Sequence, residues 1–258
     1  MVEPFARLSL AGRVIAITGA AGGLGSATAR LCAARGASVV LTDINDAGGE
    51  ALAAEIVREG GKAVYRHADV TSESDVKAMV DCAVSTFGSL DGAFNNAGIA
   101  EGMGAIPDCT ANSWQRHLDV NVTGQFLCMK YELPVMLAKG RGAIVNTASV
   151  AGVVGTASGA PYSASKHASV GLSRTAALEN ARSGVRVNAL APGSVDTPMV
   201  QHVMESHPGA QQAIFDAHPV GRIGEPWEIA ETVAWLLSDA ASFVTGAVII
   251  PDGGYSAR

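Results

Sequence analysis

The chain has 258 residues, of which 48% are hydrophobic and 16% charged, with 30 glycines. That is enough apolar material for one large α/β domain and too much for a disordered chain. A formal charge of −6 supplies no basic stripe, which argues against nucleic acid or a membrane surface as partner and for small molecules.

No apolar run reaches ~18 residues, and the opening Met-Val-Glu-Pro-Phe-Ala-Arg has no basic segment ahead of an apolar one. A cytoplasmic protein without leader or membrane span is therefore expected. Cys32, Cys82, Cys109 and Cys128 form no Cys-x-x-Cys pair, which fits small buried hydrophobes in a reducing compartment. The six histidines are scattered, with no helical pair and carboxylate partner, so no metal site is expected.

In chain order, residues 13–18, 38–43, 63–67, 90–95, 143–148, 185–190 and 247–250 read as strands. They are continuous apolar runs, as expected when helices cover both faces of a sheet. Residues 24–35, 49–59 and 75–87 read as the intervening helices, followed by two longer ones at 113–139 and 162–183. Pro134 should end or kink the first of these, because it lacks an amide donor and crowds the preceding turn. The alternation predicts a doubly wound Rossmann-type parallel sheet of about seven strands in a single domain spanning 1–258. Near 194–224 the pattern breaks into short pieces punctuated by Pro208 and Pro219, an excursion that suits a substrate lid.

The first strand runs into Thr18-Gly19-Ala20-Ala21-Gly22-Gly23-Leu24-Gly25 and then a helix. Glycines let the backbone approach a pyrophosphate closely, and the helix start offers unpaired N–H groups. Asp43 ends the second strand, where a carboxylate accepts from an adenosine ribose diol and repels a 2′-phosphate. No Arg or Lys lies between Gly19 and Gly25 or directly after Asp43, so NAD rather than NADP is expected. Asp43 also suits a turn or helix cap.

Tyr162 and Lys166 are spaced i, i+4, so on a helix they share one face. A tyrosine of pKa ~10 is a poor base at neutral pH, and a nearby cation favours its phenolate. Ser149 lies thirteen residues upstream of Tyr162, at the end of a strand.

Together the motifs Thr18-Gly-x-x-x-Gly23-x-Gly25, Asp69-Val70, Asn95-Asn96-Ala97-Gly98, Asn121, Ser149, Tyr162-x-x-x-Lys166, Pro192-Gly193 and Asp252-Gly253-Gly254 resemble the short-chain dehydrogenase/reductase family over nearly the whole chain. The resemblance implies that Gly19, Gly23, Leu24 and Gly25 hold the NAD pyrophosphate and that Asp69 and Val70 meet the adenine. The turn containing Asn96 would brace the sheet beside the cofactor, with Pro192 at the nicotinamide. Thr197 would bind the carboxamide, although it also reads as a helix cap before Pro198.

By the same resemblance Tyr162 is the general acid/base and Ser149 holds the reacting oxygen. Lys166 lowers the tyrosine pKa and binds the nicotinamide ribose, and Asn121 interrupts its helix to hold a proton-relay water. The implied activity interconverts a secondary alcohol and a ketone. Met103, Ile106, Val153, Val154, Met199, Val200, Met204 and Phe215 are the apolar candidates around a neutral or cyclic substrate. A 3-oxoacyl-carrier-protein-type ketoreductase and an inactive NAD-binding sensor are the alternatives, and a homotetramer is expected by analogy.

Overall fold

Ile15 and Ile17 of β1 (Val14–Thr18) enter one buried cluster, while Val14 and Ala16 enter another on the opposite side of the strand. Side chains alternate along a strand, so a run that is apolar at every position must be covered on both faces. The computed structural model, which describes residues 6–102, 104–206 and 209–257, shows that cover. Met103 and Pro208 lie outside the described residues.

β2 (Ser38–Asp43), β3 (Lys62–His67), β4 (Gly92–Asn95), β5 (Gly142–Thr147), β6 (Val185–Leu190) and β7 (Val248–Ile249) join β1 in one parallel sheet of order β3-β2-β1-β4-β5-β6-β7. Helices α1 (Gly23–Ala34), α2 (Asp46–Arg58) and α9 (Pro226–Leu237) supply Cys32, Leu52, Ile56 and Val233 to one face. On the other face α3 (Glu73–Phe87), α5 (Gly124–Lys139) and α6 (Ala160–Asn180) supply Met79, Leu127, Cys128 and Ala176. The order reverses between β1 and β4, which opens a crevice above their carboxyl ends.

Three helices differ from the sequence reading. α2 and α3 begin earlier than expected because Asn45 and Ser72 cap them, accepting from Gly48 N and Asp75 N. The segment expected as a helix over 113–139 is two helices, α4 (Ala111–Leu118) and α5, joined by a π-helical turn at Asp119–Thr123 that contains Asn121, the residue the family resemblance implied would interrupt it. Pro134 does not end α5, which continues to Lys139. Pro134 and Lys130, whose carbonyl the proline leaves without its usual donor, both lie on the exposed side, where water can substitute.

After β6, α7 (Pro198–Ser206) and α8 (Ala210–Asp216) make an excursion beyond the sheet. Its base is closed by a bridge between Val195 and Gly224, with Asp196 N donating to Gly224 O at 2.8 Å and Gly224 N to Ser194 O at 2.9 Å. No described helix is long and apolar enough to cross a membrane.

Candidate active site

The crevice holds a cavity of about 860 Å³. Its lining includes Gly19, Gly23, Leu24, Asp43, Asp69 and Val70, together with Asn96, Ser149, Tyr162, Lys166, Pro192 and Thr197. Gly25 and Asn121 lie just behind that surface, both buried.

The glycine turn is shaped by what surrounds it. Gly19 has φ +63°, a conformation that L side chains rarely adopt, and a Cβ there would lie 3.0 Å from Ala97 Cα. At Gly25 a Cβ would lie 2.1 Å from Gly19 O, so only glycine lets α1 start directly behind the turn. Asn96 braces the same turn, its Nδ2 donating to Thr18 O and Gly19 O at 3.2 Å each. Thr18 Oγ1 accepts from the backbone N–H groups of Asn96 and Ala97. Asp43 Oδ2 accepts from Ala21 N at 2.9 Å and Oδ1 from Asn45 N at 2.9 Å, which fixes the carboxylate at the mouth of the crevice. Beside it stands Ile44, 68% exposed and part of the lining.

Asp69 sits after β3, its Oδ1 accepting from the Thr71 N–H and hydroxyl at 2.9 and 2.8 Å. Val70 is buried where α5 starts, and a Cβ on Gly124 would lie 2.7 Å from Val70 Cγ2. Across the crevice, Thr197 meets the glycine turn: a Cβ on Gly23 would lie 2.7 Å from Thr197 Cγ2. Thr197 Oγ1 also accepts from Val200 N at 3.4 Å, so the residue caps α7 as well as facing the turn.

Ser149 lies two residues beyond β5, is 9% exposed, and its hydroxyl acts on the Tyr162 phenol, favouring the ionised form. Lys166 is 3% exposed, and its Nζ donates to Thr147 O at 2.8 Å and stands 5.7 Å from the centre of the Tyr162 ring. Burial pulls the Lys166 ammonium down to about 8. The Tyr162 phenol moves opposite to the direction expected from a cation at i+4: burial raises it, and the Ser149 hydroxyl only partly offsets this. Lys166 points its charge at a carbonyl, and removal of water from the phenol dominates.

Asn121 is fully buried in the π turn. Its Oδ1 accepts from Ile99 N at 2.8 Å, and its Nδ2 donates to Ile99 O and Ser165 Oγ at 3.0 Å each. The side chain thus ties the loop after β4 to α6, the helix that carries Tyr162 and Lys166.

Other residues at the site gave no signal in the sequence. His117 is buried on α4 with its ring edge-on to Tyr162 at 6.2 Å, and Arg116 lines the cavity, paired with Glu101 at 3.1 Å. Glu132, fully buried, accepts from Asn95 Nδ2 at 3.0 Å and is raised to about 7 by burial. Of the apolar substrate candidates, Met199 and Val200 line the cavity, whereas Ile106, Val153, Val154, Met204 and Phe215 do not. Ile106 is instead 76% exposed.

Residues 19–256 match a family model described as enoyl-(acyl carrier protein) reductase. The chain belongs to the short-chain dehydrogenase/reductase family. It is 48% identical over 249 residues to 2,5-dichloro-2,5-cyclohexadiene-1,4-diol dehydrogenase of Sphingobium indicum, covering 96% of this chain and 98% of the relative. Cyclohexanol dehydrogenase of an Acinetobacter species is 45% identical, covering 95% of this chain and 96% of the relative. Among solved structures, levodione reductase superposes with a TM-score of 0.93 at 40% identity, over 96% of this chain and 99% of that one. The two curated relatives are dehydrogenases named for different ring alcohols.

Proposed function

We propose that this family member interconverts a neutral, mostly apolar or cyclic secondary alcohol and its ketone, with NAD as cofactor. The observation that carries the reading is the convergence of Ser149, Tyr162 and Lys166 on one cavity whose other end is the glycine turn and Asp43. The turn fits a pyrophosphate, because its closest approaches leave no room for side chains at Gly19 and Gly25. Asp43, fixed by two backbone N–H groups, is suited to accept from a ribose diol. Among the described residues, the basic side chains in the lining are Arg116, paired with Glu101, and Lys166 on the Tyr162 side, which supports NAD over NADP.

When bound, the oxidised nicotinamide supplies the hydride acceptor and a positive charge in the cleft. In oxidation Tyr162 takes the alcohol proton, while Ser149 donates a hydrogen bond to the same oxygen and stabilises charge developing there. By the family resemblance Lys166 would favour the phenolate and hold the nicotinamide ribose. Asn121 fixes the π turn through which a water relays the proton outward. In reduction the protonated phenol, which burial favours, is already the acid required. Met199 and Val200 bring apolar surface to the cavity, and the ring-alcohol names of the relatives support a cyclic substrate.

The four free cysteines suit a cytoplasmic setting. Exposed apolar residues on α5 and α6, Phe126 at 48% and Leu178 at 84%, suit self-association through these helices, and the homotetramer itself rests on family analogy.

A screen of cyclic, aromatic, steroid and acyl secondary alcohols and ketones, read by NADH fluorescence with both cofactors, tests the reading. Turnover of a cyclic alcohol with NAD at least ~10-fold better in kcat/KM than with NADP is expected, rising with pH as the phenol ionises. Preference for NADP would overturn the cofactor assignment, and activity confined to acyl substrates would favour the ketoreductase alternative.

A further inference from the structure

His218 follows α8, is 3% exposed, and has both ring nitrogens engaged. Nδ1 lies 2.7 Å from Ile214 O, and Nε2 lies 3.0 Å from Ser194 N. A carbonyl can only accept and an amide N–H can only donate. The proton therefore sits on Nδ1, and Nε2 is the acceptor. One imidazole bridges a lid helix and the turn after β6.

That turn is Pro192-Gly193-Ser194, whose first two residues line the cavity. Gly193 is pressed from behind: a Cβ there would lie 2.8 Å from His218 Nε2 and 3.0 Å from Asp252 Cα. The same histidine packs against the C-terminal segment, with the Tyr255 ring tilted at 5.3 Å. Next along the chain but one, Val220 N donates to Gly253 O at 3.2 Å. Lid, cavity wall and C-terminal segment meet at this side chain.

We infer that His218 is a positioning residue: it fixes the Gly193 and Ser194 backbone as the wall against the nicotinamide and couples that wall to α8. The inference rests on the dinucleotide reading above and extends it by linking lid placement to nicotinamide affinity. The adenosine end, held by Asp43 and the glycine turn, does not depend on His218.

Two ligands separate the ends: NADH, and ADP-ribose, which lacks the nicotinamide. Two substitutions separate the bonds. His218→Asn keeps an amide donor near the Nδ1 position but does not reach Ser194, whereas His218→Gln can reach it with Oε1. Dissociation constants by titration calorimetry on the intact protein should rise roughly tenfold for NADH in H218N. ADP-ribose affinity should stay within about twofold, and H218Q should recover most of the NADH affinity. In turnover, H218N should raise KM for NAD more than it lowers kcat. Equal losses for NADH and ADP-ribose, no recovery in H218Q, or unchanged NADH affinity in H218N would each overturn the inference. A wild-type protein that binds neither ligand would overturn the dinucleotide reading itself, and the inference with it.

Discussion

The glycine turn and the catalytic wall face each other across one cavity and are built by opposite means. The turn is backbone against backbone: Gly25 stands where a Cβ would meet Gly19 O at 2.1 Å, and Asn96 and Thr18 hold the loop with neutral hydrogen bonds. The wall is side chains, and it includes an ammonium at 3% exposure whose hydrogen bond goes to a carbonyl. The turn therefore follows from shape, and stability and function agree there. At the wall they conflict on the proposed reading, in which a buried cation is kept for a catalytic role at a cost to the fold.

That contrast is sharpest at Lys166. Its ammonium titrates at about 8 in the folded protein, against 10.5 ordinarily. A folded pKa below the unfolded value means that the charge destabilises the fold fully below pH 8, and that the cost disappears as pH rises toward 10.5. Lys166→Met should lower kcat by roughly a thousandfold or more. It should also raise stability at pH 7 by about 2 kcal/mol, net of the lost bond to Thr147 O. Urea melts from pH 7 to 10 would check this, with the gap between variant and wild type closing at the alkaline end. A destabilised variant at pH 7 would place the wall and the turn in the same class.

At the turn the smaller effect is expected in binding alone. Gly25→Ala should weaken NADH binding by roughly a hundredfold, about 3 kcal/mol, since the added methyl must displace backbone at Gly19 and Ala20. Fluorescence titration reads the affinity, and circular dichroism checks that the fold persists. Near-normal affinity would show that the turn is more deformable than its contacts imply.

Both regions were legible where their patterns are local. Glycine spacing, a carboxylate ending the second strand and Tyr162 with Lys166 at i, i+4 are local patterns, so the sequence exposes them directly. The parallel sheet was equally readable, since apolar runs alternating with helices leave few other arrangements. The break of the long helix at Asp119–Thr123 was not readable from propensity, because Asn121 earns its place through bonds to Ile99 and Ser165, 22 and 44 residues away. That Pro134 does not end the helix has a complementary reason: its effect depends on which side of the helix faces water. His117 and His218 gave no signal, since each matters through a partner brought near only by folding. The substrate candidates fared worst. Apolar residues in a lid line the cavity or pack elsewhere according to its path, and periodicity does not encode that path.

The central claim, that Tyr162 moves the proton in a site that binds NAD independently of it, is tested most directly by Tyr162→Phe assayed for NADH affinity and alcohol oxidation on the same sample. The account predicts NADH affinity within about threefold of wild type and kcat reduced by roughly a thousandfold or more, the loss expected for removing an essential acid/base. A variant that binds NADH and retains kcat within about tenfold of wild type would contradict it.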